Sequence, residues 1–229
     1  MIARKSKMVR RIFCFTCGLV TAANALGATP RTRKLDYDPQ KREWVELPPP
    51  PPGSVARDLY DVHVLIKERS YARAVSAANK FIKRYGDPDP LHPDILVAKA
   101  AALVGKRDYD RAYKVLQEFL NRYAGVALTE EALRLQFVVA EGYLGGAKRM
   151  VWGIFPMSGV DRGYEILDEI STNHAESSLA ELAVKTKADH MFRTGDHDLS
   201  ELEYGRMLRE FPRSRYQQFA MRRAADAAL

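Results

Sequence analysis

Metal-ligating side chains crowd together at one point of this 229-residue chain, Asp196-His197-Asp198. Two carboxylates flanking an imidazole are donor types that a divalent cation accepts. Side chains of adjacent residues splay apart, however, and an Asp in a turn commonly caps a helix. The triplet is therefore read as a solvated turn, and Asp189-His190 as a feature of a helix surface. The motifs of catalysis are missing elsewhere: no phosphate-cradling glycine loop, no nucleophile elbow and no HExxH. We expect no catalytic residue, no metal and no cofactor. The chain then reads as a non-enzyme whose function is carried by surfaces.

One segment has the composition of such a surface. Between Ala147 and Gly159 the sequence AKRMVWGIFPMSG sets Lys148 and Arg149 ahead of Met150, Val151, Trp152, Ile154, Phe155 and Met157. Long loops in compact repeat proteins are usually functional or disordered, and this composition is too apolar for disorder. Two readings stand. The loop docks on a partner protein or a membrane interface, with Lys148 and Arg149 toward lipid headgroups. Alternatively, Trp152 and Phe155 fold back and cover a groove of their own chain.

The elements that position this loop follow from a repeat. YARAVSAANKFIKRY from Tyr71 to Tyr85 recurs as YDRAYKVLQEFLNRY from Tyr109 to Tyr123, an offset of 38 residues. Each has an apolar stripe at helical spacing and a charged opposite face. A helical pattern at that period is the mark of stacked helix pairs. The first pair starts near a capping Ser54, with Leu59, Val62, Leu65 and Ile66 as its apolar face. The second starts at Pro93. The third starts at a capping Thr129 and stops at Gly145-Gly146, and its second helix runs from Val160 to His174. The fourth is capped by Ser177 and turns at Gly195-Asp196. A last helix in residues 215–229 closes the stack. The fold expected is all-α, a superhelix of about four and a half pairs over residues 54–229, with the long loop inside the third pair.

In each second helix a small residue is followed by a large one four places on and another three beyond. Ala74-Ala78-Phe81, Ala112-Leu116-Phe119, Gly163-Leu167-Ile170 and Ser200-Tyr204-Met207 follow or approach this pattern. Small residues let paired helices approach, and large ones fill the joint to the next pair. This resembles the tetratricopeptide (TPR) repeat. The endings add detail. Phe211-Pro212-Arg213-Ser214 is an aromatic-Pro-x-Ser ending, and His174-Ala175-Glu176-Ser177 approaches it. In this the chain resembles BamD-like outer membrane assembly lipoproteins and related envelope TPR proteins. The resemblance covers residues 54–229. It implies a scaffold that binds envelope proteins in outer membrane protein assembly or envelope biogenesis. A helical accessory to a cell-wall enzyme is a less direct alternative.

Residues 1–25 read as a secretory signal peptide. Arg4, Lys5, Lys7, Arg10 and Arg11 precede a short apolar stretch, Ile12 to Val20, and Ala23-Asn24-Ala25 is a small-x-small cleavage site. The apolar run falls short of the roughly 20 residues that span a bilayer. The leader holds five of the 36 basic residues and no acidic one, leaving 31 basic against 29 acidic, a net of +2 in place of +7. The basic balance is thus a targeting signal and not a nucleic-acid footprint. Both cysteines, Cys14 and Cys17, lie in the leader. Cys17 lacks the Leu-x-small approach of a lipidated cysteine. Residues 26–53, with five prolines from Pro48 to Pro52, read as a linker, a spacer in which Trp44-Val45 is a candidate docking segment. The expected location is the periplasm, in possible association with the outer membrane. The first expected outcome is cleavage between Ala25 and Leu26. N-terminal sequencing of the protein from its native cell checks it, and an intact Met1 in the cytosol would overturn it.

Overall fold

The computed structural model describes residues 35–38, 43–46, 48–123, 125–151 and 155–228. The leader, Trp152 and Ile154 lie outside the described residues. The chain divides into two units, residues 1–47 and 48–229. The first contains two short strands, β1 (Leu35–Asp38) and β2 (Glu43–Glu46), paired antiparallel with Leu35 opposite Glu46. This corrects the reading of residues 26–53 as a plain spacer: Trp44-Val45 belongs to a ladder.

The second unit is the helical superhelix expected. Its helices are α1 (Val55–Lys67), α2 (Tyr71–Tyr85), α3 (His92–Gly105), α4 (Tyr109–Arg122), α5 (Thr129–Leu144), α6 (Val160–Asn173), α7 (Ser178–Thr194), α8 (His197–Glu210) and α9 (Gln217–Ala227). Strands β3 (Lys148–Val151) and β4 (Phe155–Ser158) interrupt the third pair. Every helix packs on the next in sequence, and α1, α3, α5 and α7 also touch one another in order. The first helices of the pairs therefore form one layer and the second helices another. Among the described residues no helix is long and apolar enough to cross a membrane.

Local chemistry accounts for several helix ends. Ser54 accepts a hydrogen bond from the Arg57 amide, and Ser177 accepts one from Leu179. Arg69 (φ 57°), Arg107 (φ 61°) and Gly195 (φ 86°) each occupy the left-handed position one residue before the next helix cap. Glycine reaches that backbone without strain, whereas the two arginines adopt it at a cost. Thr129 is a correction. It is the first helical residue and not the cap, which is Leu128, and its buried Oγ1 makes no hydrogen bond.

The repeat-packing residues lie where their spacing places them. Ala74, Ala112, Leu116, Phe119, Ile170 and Met207 are fully buried, Phe81 nearly so, and Gly163 is buried. At Gly163 a Cβ would stand 3.1 Å from the Ala140 carbonyl oxygen and 3.0 Å from Leu144, so α5 and α6 touch through bare backbone. A second joint recurs between neighbouring pairs. The Tyr71 ring lies against Gly105 and the Tyr109 ring against Gly142, where added Cβ atoms would come within 2.3 and 2.4 Å.

Charge also enters the interior, against the reading of Lys and Arg as purely solvated faces. Lys187 of α7 is 9 % exposed and binds Asp168 of α6 at 2.8 Å and Glu203 of α8 at 2.7 Å. Burial works against its charge, but the two carboxylates outweigh burial and hold its pKa above the ordinary lysine value.

Three buried phenols tie elements together in the same manner. Tyr113 donates to Glu169, Tyr143 to Asp110 at 2.6 Å, and Tyr204 to Asp189. Burial, and then the hydrogen bond to a carboxylate, push each phenol pKa above its ordinary value. The folded state therefore holds these protons more tightly than the unfolded chain. Their contribution is complete below the unfolded tyrosine pKa of about 10 and is lost as pH rises through the folded values. Denaturant midpoints measured against pH should fall on the alkaline side. The double variant Tyr143→Phe, Tyr204→Phe should be less stable at neutral pH, by about 1 kcal/mol per lost hydrogen bond, and show a shallower alkaline decline.

Candidate functional site

The apolar segment of the third pair is a β-hairpin and not an irregular loop. α5 stops at Leu144, Gly145-Gly146 turns the chain with Gly146 at φ 94°, and the Ala147 amide bonds the Gly142 carbonyl at 3.1 Å. β3 and β4 then pair antiparallel. Lys148 faces Ser158, Arg149 faces Met157, Met150 faces Pro156 and Val151 faces Phe155. The three residues between the strands, 152–154, lie outside the described residues. Directly opposed residues share a face, so Arg149, Met157 and Phe155 lie on one side of the ribbon.

The described side chains of the hairpin are exposed. Phe155 and Met157 are each 56 % exposed, and Lys148, Arg149, Pro156 and Ser158 are exposed as well. Folding back over a groove does not describe Phe155. Trp152 and Ile154 lie outside the described residues, and Met150 is placed by its backbone register alone.

A two-stranded ribbon is marginal by itself; its base supplies the anchorage. Ala147 packs against the central hydrophobic cluster, and Gly159 is buried under the Tyr143 ring. A Cβ on Gly159 would lie 2.2 Å from that ring and 2.6 Å from the Ala147 carbonyl oxygen. Tyr143 is in turn fixed by its bond to Asp110 and by ring contact with Tyr109, centroids 5.7 Å apart.

His190 holds the adjoining helix end, which corrects its reading as a surface feature. It is 6 % exposed, with Nε2 3.1 Å from the Leu144 carbonyl oxygen and Nδ1 2.7 Å from the Tyr164 hydroxyl. A carbonyl only accepts, so Nε2 is the donor of the bond to Leu144. One of the orphan carbonyls at the end of α5 is thereby satisfied by α7.

A cleft of about 220 Å³ opens beside the first strand, lined by Lys106, Arg107, Asp108, Tyr109, Asp110 and Lys148. Its two acids are engaged. Asp108 accepts from Arg111 Nε at 2.8 Å, and Asp110 accepts from Tyr143. The Arg111 guanidinium holds the Asp108 carboxyl below its usual pKa. Lys106, Arg107 and Lys148 make no ion pair among the described residues, so the cleft presents a positive rim next to the apolar ribbon.

Asp196-His197-Asp198 lies at the start of α8, where Asp196 accepts a hydrogen bond from Thr194 at 2.9 Å and the His197 ring meets Phe192 edge-on. No group of three or more His, Cys, Asp or Glu side chains suited to a metal ion occurs among the described residues. Tyr143, Gly159, Lys106 and Arg107 are not among the contact residues expected from the sequence. The signal for the hairpin was present in β-prone Val151, Trp152, Ile154 and Phe155 around Gly153. The contacts that fix its base come from separate helices and leave no such mark.

No protein-family model matches this sequence, and no curated protein matches it.

A clear contrast in stability follows. Gly159→Ala should destabilise by about 1–3 kcal/mol, because the added methyl meets a ring and a backbone oxygen that cannot easily retreat. Met157→Ser, on the exposed ribbon, should stay within about 0.5 kcal/mol of the parent. Thermal unfolding of the two variants checks both.

Proposed function

We propose that this protein is an exported, non-enzymatic helical-repeat scaffold of the cell envelope, with a role like that of BamD-like proteins in outer membrane protein assembly or envelope biogenesis. The β3–β4 hairpin is its docking element. The observation that carries the reading is an exposed apolar face, Phe155 and Met157, presented beside Arg149 on a ribbon whose base is locked by Tyr143 and Gly159. Exposed apolar surface with a basic edge suits a protein partner that supplies an apolar pocket and acidic rim. A rigid base lowers the ordering cost of binding. Lys148, Arg149, Met150, Trp152, Ile154, Phe155 and Met157 are the contact residues in this reading.

A second reading, peripheral contact with a membrane surface, is supported by the cations Lys106, Arg107 and Lys148, which line one cleft beside the ribbon and make no ion pair among the described residues. Cations at that position meet lipid phosphates while the apolar tip enters the headgroup region.

Photo-crosslinking from position 157 in the native envelope separates the two. Protein adducts that vanish in the Phe155→Ser variant support docking on a protein; each aromatic anchor typically contributes about 2 kcal/mol or more to such an interface. Adducts to lipid alone, with cosedimentation on anionic vesicles that is lost in Lys106→Glu, Lys148→Glu, support membrane contact. Neither adduct would remove the hairpin from consideration as the docking element.

A further inference from the structure

We propose that α8 is a self-association face, pairing two copies of this chain antiparallel about a twofold axis. The inference is independent of the hairpin and rests on how the last pair departs from the others. Aligned on the small residue of each second helix (Ala74, Ala112, Gly163, Ser200), three positions outside the buried stripe stand out. Leu199 falls where the other pairs have Arg73, Arg111 and Arg162. Leu202 falls where they have Ser76, Lys114 and Glu165. Gly205 falls where they have Asn79, Gln117 and Asp168, of which Gln117 reaches Glu169 and Asp168 reaches Lys187 of the following pair, both at 2.8 Å. The last pair has thus replaced a polar face by two leucines and a glycine.

Neither leucine is used within the chain. Leu199 is 51 % and Leu202 65 % exposed, while Ser200, Tyr204 and Met207 turn the opposite side of α8 inward and are fully buried. Gly205 is also unexplained by internal packing. A Cβ there would meet only the mobile end of Arg209, Nη1 at 3.3 Å, in contrast to the backbone contact at Gly163. Glycine weakens a helix interior. On an outer face it bares the backbone to an approaching helix, and Leu202 lies one turn from it, ready to fill the hollow on a second copy.

The charges fit the same arrangement. Asp198 stands at the start of this face and Arg209 at its end, and neither makes an ion pair among the described residues. In an antiparallel helix pair the residues that meet have numbers of constant sum. The register that seats Leu202 on the partner's Gly205 also sets Asp198 against the partner's Arg209. One register therefore satisfies the apolar and the ionic pairing together, twice by symmetry, which is the self-complementarity of an isologous twofold contact. A parallel pairing would instead oppose like charges. Because one helix from each copy forms the contact, the interface is small, and a dissociation constant on the order of micromolar is expected.

Sedimentation equilibrium of the full chain tests this. The wild type should show a reversible monomer–dimer equilibrium. Leu202→Lys, which installs the residue type found at position 114, should raise the dissociation constant about tenfold or more with an unchanged melting temperature. Asp198→Arg and Arg209→Asp should each weaken the dimer, and the double variant should restore it, since the swapped charges again oppose in the antiparallel register. A wild type that stays monomeric overturns the proposal. So does a dimer indifferent to Leu202→Lys, or a double variant as weak as the singles.

Discussion

The structure depends on close approach of paired helices at a single small residue. Ala74, Ala112, Gly163 and Ser200 occupy the same place in successive second helices, and each is buried. A larger side chain there would hold the helices apart and leave voids around Phe81, Phe119, Ile170 and Met207, which fill the adjoining space. Ser200 shows how narrow the tolerance is. Its hydroxyl is buried, and it donates to the Ala188 carbonyl at 3.1 Å, so the one polar member of the set finds its partner across the joint. The interior is divided into three apolar clusters, with the central one spanning α3 to α7. Stability in such an array is close to a sum of joints between neighbours.

Between the pairs, polar contacts set which faces meet. The Tyr71–Gly105 and Tyr109–Gly142 contacts are one joint used twice, a ring seated on bare backbone. Lys187, held by Asp168 and Glu203, links α6, α7 and α8. A buried charge adds little net stability, but losing either partner leaves an uncompensated ion, so the network favours one alignment over others. His92 also links separate elements through polar contacts. It is 1 % exposed, with Nδ1 2.7 Å from the Tyr123 hydroxyl and Nε2 3.2 Å from Asp87.

This rigidity gives the hairpin its character. An isolated two-stranded ribbon would sample many conformations. Here the strands emerge from Ala147, bonded to the Gly142 carbonyl, and Gly159, seated under Tyr143, which is fixed from α4 through Asp110. The exposed face carrying Phe155 and Met157 is therefore presented from a site where several helices converge. Two features of the unit break the repeat pattern, the hairpin in the third pair and the outer face of α8 in the fourth. Both turn apolar side chains toward solvent where the regular repeats place polar ones.

The sequence by itself determined the helical repeat, because side-chain size and hydrophobic period are local properties. The spacing of Ala112, Leu116 and Phe119 specifies a helix, the face it buries and the closeness of its neighbour. Caps such as Ser54 and Ser177 are equally local, since each hydroxyl bonds an amide two or three residues away. Thr129 shows the limit of that logic: another hydroxyl residue sits one place inside the helix, where its buried oxygen makes no hydrogen bond. Only the tertiary structure decided that residues 148–151 and 155–158 pair as strands, that His190 and Lys187 are interior, and that Lys106, Arg107 and Lys148 border one cleft. Each of these depends on groups from different helices meeting. His190 and Leu144, or Asp110 and Tyr143, are brought together by the stacking of pairs, and residue spacing along the chain carries no record of that distance.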